Sequence, residues 1–245
     1  MAKLHQLVRV ALLLAIVGCS PTEAEPPPAP ERVKIGACFA AGSADPVECR
    51  ERHLAQAVYV SDEPPGSNTE ALAPCRRAQA KFLGQDFNTR LDIRLWVAQD
   101  RSSFRCDVVL RTSTRAGLGY QTLTFSLARA FRKGASVDLQ ACLGAPYDPA
   151  SDQAYVPCRD PHTARSLIVA PAIGTLEEKF PDDIDERATN ACNATADAAG
   201  ELVNGRTVSA FYPDSASAWA TGERTAECWI VAERGLLPAV TARSR

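Results

Sequence analysis

Two stretches decide how this chain is organised: CRERHLAQAVYV at residues 49–60 and CRDPHTARSLIV at residues 158–169. They align without gaps and share Cys, Arg, His, Ala and the closing Val. Their histidines are His53 and His162, and the third histidine of the chain lies near its start. A match of this kind at two distant places indicates an internal repeat.

The cysteines extend the repeat along the chain. Cys38, Cys49, Cys75 and Cys106 are followed in the same order by Cys142, Cys158, Cys192 and Cys228. Successive cysteines lie 11, 26 and 31 residues apart in the first set and 16, 34 and 36 in the second. The sequence therefore predicts two tandem copies of one small domain, at residues 33–133 and 134–245, with the junction near residues 132–134.

Each copy has the same predicted elements. Runs of β-branched and apolar residues predict strands at 33–39, 54–60, 91–98, 106–111 and 121–128 in the first copy, and at 137–143, 166–170, 207–212 and 228–232 in the second. After the second strand of each copy, apolar residues recur at helical spacing around Cys75 or Cys192. The predicted fold class is α+β: two tandem small disulfide-stapled domains, each a mostly antiparallel sheet packed on one main helix.

The N-terminal residues predict export. The apolar run from Val10 to Val17 is too short for the roughly 20 residues of a membrane-spanning helix, and with Lys3 and Arg9 before it the run is typical of a signal peptide at residues 1–18. It ends in Ile-Val-Gly-Cys19, which resembles the bacterial lipobox and implies lipid attachment at Cys19. Cleavage at another small residue, with Cys19 left odd, is the alternative.

The residues after Cys19 predict a tether to the membrane. Residues 19–32 contain five prolines and no large apolar side chain, a composition typical of an extended spacer. Because one acyl chain holds a protein only marginally, the two or three of a bacterial lipoprotein are expected to hold it at the extracytoplasmic face of the cell membrane.

The charge of the chain excludes a nucleic-acid binder. Its 27 basic residues include Lys3 and Arg9, so the chain without its leader keeps 25 against 29 acidic residues, a formal charge of −4. Nucleic-acid binding rests on a basic footprint, which this chain lacks. The hydrophobic content of 46% is ample for packed cores.

The eight cysteines after Cys19 predict four structural disulfides, because an even number suits an exported chain. Pairing within each copy, first with second and third with fourth, is favoured because the members of each pair lie on neighbouring predicted elements. Pairing first with fourth and second with third stays open.

No Cys-x2-Cys pair is present, so neither a zinc site nor a thioredoxin-like redox site is expected, and no cofactor is predicted.

A few other residues are candidates for a site. His53 and His162 each follow a cysteine by four residues, but a sulfur in a disulfide is no nucleophile, so a local hydrogen-bonding role is favoured over partner contact and catalysis. Trp219 and Arg224 are predicted to stack or pair across a hairpin, with partner contact as the alternative. The acidic run at residues 177–186 lacks the register of a calcium loop and predicts a solvated loop before the helix.

The ordered motifs resemble the septum-formation domain of actinobacterial envelope proteins. They are Gly36-Ala37-Cys38-Phe39 in the first copy and Pro161-His162, Trp219, Gly222-Glu223-Arg224 and Cys228 in the second. The first copy has Arg52 where the family has Pro and lacks a clear Gly-x-Arg. The resemblance implies a location in the cell envelope and a link to septum formation rather than a chemical mechanism.

The expected function is a non-enzymatic lipoprotein that binds or scaffolds an envelope protein or a cell-wall partner. Two alternatives stay open. One is an envelope hydrolase or thiol oxidoreductase with a histidine-containing cleft, and the other is a small-ligand receptor feeding a transporter.

Overall fold

The computed structural model describes residues 33–240, except residues 64, 85–86, 88–89, 99, 101, 116–118 and 132–136. The predicted signal peptide, Cys19, the tether and the junction near residue 133 lie outside the described residues. Within the described part, no helix is both long and apolar enough to cross a bilayer.

The first half of the described chain forms an antiparallel sheet and one long helix. The elements are β1 (Cys38–Phe39), β2 (Pro46–Val47), β3 (Ala55–Ser61), α1 (Asn68–Leu83), β4 (Leu91–Val97), β5 (Phe104–Arg111) and β6 (Tyr120–Gln121). The strand order is β2-β1-β3-β5-β4, and β6 pairs with the end of β5. Helix α1 packs against β3, β4 and β5.

The second half repeats this plan with shorter strands. After a single 3-10 turn at Val137–Leu139, its elements are β7 (Cys142–Leu143), β8 (Ala164–Ser166), α2 (Ile184–Ala198), β9 (Arg206–Phe211), α3 (Ala216–Ala220) and β10 (Glu227–Ala232). The strand order is β7-β8-β10-β9, which corresponds to β1-β3-β5-β4 of the first half, and α2 packs against β9 and β10. The α+β class and the antiparallel sheets are as predicted.

Local sequence signals set the ends of α1. Ser67 caps the N-terminus, where its hydroxyl accepts a hydrogen bond from the Glu70 amide at 3.1 Å. Gly84 ends the helix with φ +111°, a left-handed conformation that glycine adopts without a Cβ clash. Ala71, Cys75 and Leu83 lie on the buried face. The helix therefore presents one apolar stripe to the sheet.

Two disulfides lie within each half. Cys38 pairs with Cys49 and Cys75 with Cys106; in the second half Cys142 pairs with Cys158 and Cys192 with Cys228. This is the favoured pairing of the sequence analysis, first with second and third with fourth. In each half one disulfide closes the loop after the first strand, and the other ties the long helix to the last long strand.

Three predicted strands are shorter than expected. Gly36 at φ +93° turns the chain, so the strand predicted at 33–39 forms only at its last two residues. The strand predicted at 166–170 ends at Ser166, because Val169 leaves the sheet to pair with Phe87 of the first half. The strand predicted at 121–128 is limited to Tyr120–Gln121, and the Leu127 amide donates instead to the Gln56 side chain at 2.8 Å.

Two further predictions in the second half need correction. The strand predicted at 137–143 opens with the 3-10 turn, because Leu139 inserts into the apolar core of the first half. The apolar residues at helical spacing around Cys192 continue in the sequence to Val203, but the helix ends at Ala198 and Gly200 at φ +70° turns the chain. Helix α3, only five residues long, was not predicted.

A buried ion pair lies on β5. The Arg105 Nε atom is 3.1 Å from Asp107 Oδ2, and both side chains are at most 6% exposed. The Arg105 guanidinium also lies 3.7 Å from the centroid of the Phe39 ring and 4.9 Å from that of Trp96. Burial raises the pKa of Asp107, and the charge of Arg105 opposes that rise. The two residues thus depend on each other for burial.

Candidate functional site

The two halves are joined by backbone pairing just beyond β5. The Tyr155 amide donates to the Thr112 carbonyl and the Thr114 amide to the Gln153 carbonyl, each at 2.9 Å. Ser113 and Ala154 form an antiparallel bridge between these bonds. The end of β5 is therefore held against the second half, and the side chains that follow Leu110 reach the boundary between the two sheets.

A second contact joins α1 to the segment before β10. Gly222 has φ +86°, and a Cβ atom there would lie 3.0 Å from the Ala73 Cα atom, closer than side-chain carbons normally approach. Next to it, Glu223 forms an ion pair with Arg76 of α1. Glycine is required at this position both for the backbone conformation and for the close approach of α1.

Trp219 and Arg224 hold the loop at residues 174–178. The Arg224 guanidinium lies 3.9 Å from the centroid of the Trp219 ring and donates to the Thr175 carbonyl at 2.6 Å. The Trp219 indole donates to the Glu178 carbonyl at 2.8 Å. Trp219 is buried, so the predicted stacking is present and its role in the fold is packing. Partner contact by these two residues stays a prediction.

Between these contacts lies a cleft of about 760 Å³. One wall comes from α1, the start of β4 and the end of β5. The other comes from the 174–176 loop, the end of β9 and residues 222–227. Five arginines line it: Arg76, Arg77, Arg111, Arg115 and Arg224. Three carboxylates line it with them: Asp92, Glu223 and Glu227. In a chain with a net negative charge, this cleft is a basic region.

The five arginines differ in whether their side chains bind other groups of the protein. Arg76 pairs with Glu223, and Arg224 is engaged by the carbonyls of the 174–178 loop. Arg77 is exposed on α1, and within the described residues its guanidinium has no ion-pair partner. Arg115 is also exposed, and its backbone amide, rather than its side chain, donates to Asp152 at 3.0 Å. Arg77 and Arg115 are therefore the two cations best placed to meet a ligand.

The floor of the cleft contains a shielded carboxyl group. Burial raises the pKa of Glu227, and the charge of Arg111 offsets part of that rise. Arg111 itself stays charged at any physiological pH. At the rim the cleft is apolar, with Phe211 56% exposed and Leu176 43% exposed. Cationic, acceptor and apolar groups thus occupy different parts of one concave surface.

The two histidines occupy equivalent positions in the two halves, outside the cleft. The Nδ1 atom of His53 donates to the Glu51 carbonyl at 2.9 Å, and that of His162 to the Asp160 carbonyl at 2.8 Å. Each backbone also forms a bridge, His53 with Leu123 and His162 with Leu237. Both imidazoles are 0% exposed. Each imidazole therefore has the local hydrogen-bonding role that the sequence favours. A partner would reach either ring only if the surrounding loop opened.

Acidification is expected to destabilise the fold through His162. Burial lowers the pKa of this imidazole from its ordinary value of 6.5, and within the described residues its Nε2 atom has no hydrogen-bond partner. The unfolded chain therefore binds the proton more readily. The stabilising contribution is complete above about pH 6.5 and is lost as the pH falls through that value towards the folded pKa.

Urea unfolding of the wild type and of His162→Gln at pH 7.5 and pH 5.5 measures this effect. We expect the wild type to lose about 1 kcal/mol more free energy of unfolding than the variant over this interval, since one proton is worth at most about 1.4 kcal/mol per pH unit. Equal losses in both proteins would contradict the assignment to His162.

The remaining predicted site residues are the cysteines and the acidic run. All eight cysteines from Cys38 to Cys228 are in disulfides. In the acidic run, Glu178 and Asp183 both pair with Arg187, at 2.6 and 2.8 Å, and the run leads into α2 at Ile184. Among the residues that the structure describes, no group of three or more histidine, cysteine or acidic side chains is arranged to hold a metal ion.

A comparison with known protein families adds one match. A family model described as septum formation matches residues 68–228, from the first residue of α1 to the second residue of β10. The matched segment includes α1, β4, β5 and the segment 222–227, and so it spans both walls of the cleft. No curated protein and no solved structure matches the chain.

Proposed function

Since this chain belongs to the septum-formation family, we propose that it is a lipid-anchored, non-enzymatic binding protein of the cell envelope that acts during septum formation. Its anchor is the lipid on Cys19, and residues 19–32 are the tether that holds the folded part away from the extracytoplasmic face of the membrane. The partner is an envelope protein or a cell-wall component, and nucleic acid is not among its ligands.

The observation that carries the proposal is the cleft between the two halves. Its volume of about 760 Å³ falls within the range of about 300–1,000 Å³ that is typical of ligand sites. It combines exposed arginines with the shielded carboxyl group of Glu227 and an apolar rim. A concave surface with a few converging polar groups is the usual form of a binding site.

The binding interpretation is preferred over the hydrolase and the thiol oxidoreductase on two grounds. A thiol oxidoreductase needs a reactive thiolate, whereas the cysteines from Cys38 to Cys228 are bonded in pairs. A histidine-dependent hydrolase needs an imidazole that reaches its substrate, whereas His53 and His162 are buried away from the cleft.

We further propose that the two halves are copies of one domain. The shared strand order supports this, as do the equivalent disulfides and the matching hydrogen bonds of His53 and His162. The copies have diverged in function, because the Trp219 and Arg224 contacts belong to the second half and build the cleft wall there. Binding therefore depends on the pair of halves rather than on either half.

Photocrosslinking in dividing cells tests the function. A photoreactive amino acid at Leu176, 43% exposed at the cleft rim, is expected to give a crosslinked adduct on the membrane. The same amino acid at Leu202, which is 46% exposed and does not line the cleft, is the matched control and is expected to give none.

A second arm of the experiment tests the anchor. Cys19→Ser is expected to move the chain out of the membrane fraction and abolish the Leu176 adduct. Equal adduct yields at both positions, or an adduct that survives Cys19→Ser with the chain released from the membrane, would overturn the proposal.

A further inference from the structure

We propose that the cleft binds an acidic saccharide, a short sugar segment that carries carboxylate or phosphate groups. This inference rests on the proposed function and names the chemical class of its ligand. It follows from three sets of groups in the cleft, each of which matches a different part of such a molecule.

The arginines match the acid groups. Guanidinium groups bind carboxylate and phosphate through two parallel hydrogen bonds, which gives both strength and orientation. Arg77 lies on α1, and Arg115 lies on the segment after β5. Both are exposed, and both line the cleft. Arg111 lines the same cleft, so its charge adds to the attraction for an anion.

The carboxylates of the cleft favour a sugar over a simple polyanion as the ligand. Asp92, Glu223 and Glu227 line the same cleft as the arginines and would repel a ligand that presents only negative charge. Sugar hydroxyl groups, however, donate hydrogen bonds, and a carboxylate is an acceptor with several lone pairs. The presence of cations and acceptors in one cleft therefore fits a ligand that offers both acid groups and hydroxyl groups.

The rim matches the apolar face of a sugar ring. Phe211 lies at the end of β9 and is 56% exposed. Its ring and the half-buried Tyr212 line the cleft mouth. Aromatic rings pack against the C–H groups of sugars, so a saccharide would cover the apolar surface that the fold leaves exposed.

The shape of the site favours a short saccharide segment over a protein partner. The site is a concave space of about 760 Å³, within the range of about 300–1,000 Å³ that is typical of pockets for small ligands. A chain end or a few sugar units would enter it, while a folded surface would contact only the rim.

Calorimetric titration of the full-length chain, purified in a mild non-ionic detergent, tests the inference. The acidic probes are trigalacturonic acid, which carries carboxylates, and glucose 1,6-bisphosphate, which carries phosphates. Maltotriose is the neutral sugar, and tripolyphosphate is the anion without a sugar. We expect at least one acidic saccharide to bind about tenfold or more tightly than both comparison compounds.

Matched variants locate the site. Arg77→Gln and Arg115→Gln are each expected to weaken binding of the acidic saccharide about tenfold, since each removes a charge-assisted contact. Arg52→Gln and Arg234→Gln, which remove the same charge from exposed positions outside the cleft, are expected to leave binding unchanged. Binding is also expected to weaken as the salt concentration rises.

Several outcomes would overturn the inference: no binding of either acidic saccharide, equal binding of maltotriose or tripolyphosphate, or equal effects of all four substitutions. The Leu176 crosslink separates this failure from that of the proposed function. A protein adduct at Leu176 without saccharide binding would contradict the saccharide as the ligand class, and the proposed binding role in the envelope would stand. Saccharide binding in vitro without an adduct in cells would contradict the proposed role in the cell envelope.

Discussion

Arg105→Met is expected to lower the free energy of unfolding by about 3–5 kcal/mol, because it leaves the Asp107 carboxylate buried without its partner. Asp107 is 3% exposed, and within the described part of the chain its Oδ1 atom has no hydrogen-bond partner. Methionine retains much of the packing of the arginine stem against Phe39 and Trp96. The loss is therefore expected to arise mainly from the unpaired charge.

The pH dependence of this variant gives a second readout. Burial already raises the pKa of Asp107, and removing Arg105 raises it further, above its value in the unfolded chain. The destabilisation is then full at neutral pH and decreases as the pH falls through the folded pKa, because the folded variant takes up the proton more readily. Urea unfolding at pH 7.5 and pH 5 measures both effects.

Two further variants serve as controls for the ion pair. Arg105→Met combined with Asp107→Leu removes both charges and is expected to recover most of the lost stability. Arg234→Met removes an exposed arginine of the second half, away from the ion pair, and is expected to cost less than about 1 kcal/mol. A loss below 1 kcal/mol for Arg105→Met alone would show that the pair adds little to stability.

Removing the Cys192–Cys228 disulfide is expected to cost about 4 kcal/mol, against about 3 kcal/mol for the Cys38–Cys49 disulfide. The difference follows from the loops that they close, with sequence separations of 36 and 11 residues. A longer loop gains more conformational freedom in the unfolded chain once its crosslink is absent.

Double alanine variants, Cys192→Ala with Cys228→Ala and Cys38→Ala with Cys49→Ala, measure this difference by urea unfolding without reductant. Alanine leaves no free thiol that could exchange with the remaining disulfides. Equal losses, or a larger loss for the shorter loop, would show that packing around the sulfur atoms outweighs the entropy of the unfolded chain.

Strong local patterns made the long elements predictable. Helix α1 has a serine cap, a terminal glycine and an apolar stripe around Cys75, and β5 has apolar residues at Phe104, Cys106 and 108–110. Two of the shortened strands were not predictable, because contacts between the halves determine where they end or begin. Val169 leaves the predicted strand to pair with Phe87, and Leu139 enters the core of the other half.

The cleft was not predictable for the same reason. Its arginines come from α1, from the end of β5 and from the segment before β10, which are remote from one another in the chain. None of them belongs to a recognisable motif except Arg224 in Gly-x-Arg. The histidines were the stronger signal in the sequence, but their equivalence reflects a shared loop structure and not a shared site.

Under the export that we propose for this chain, the disulfide pattern bears on the order in which its thiols are oxidised. Eight cysteines allow 105 complete pairings. In this protein the cysteines from Cys38 onward bond in consecutive pairs along the chain, the first with the second, the third with the fourth, and so on. An oxidant that acts on thiols in the order in which they cross the membrane, N-terminus first, would join the native partners at every step. Such a chain has little need for an isomerase to correct mismatched bonds.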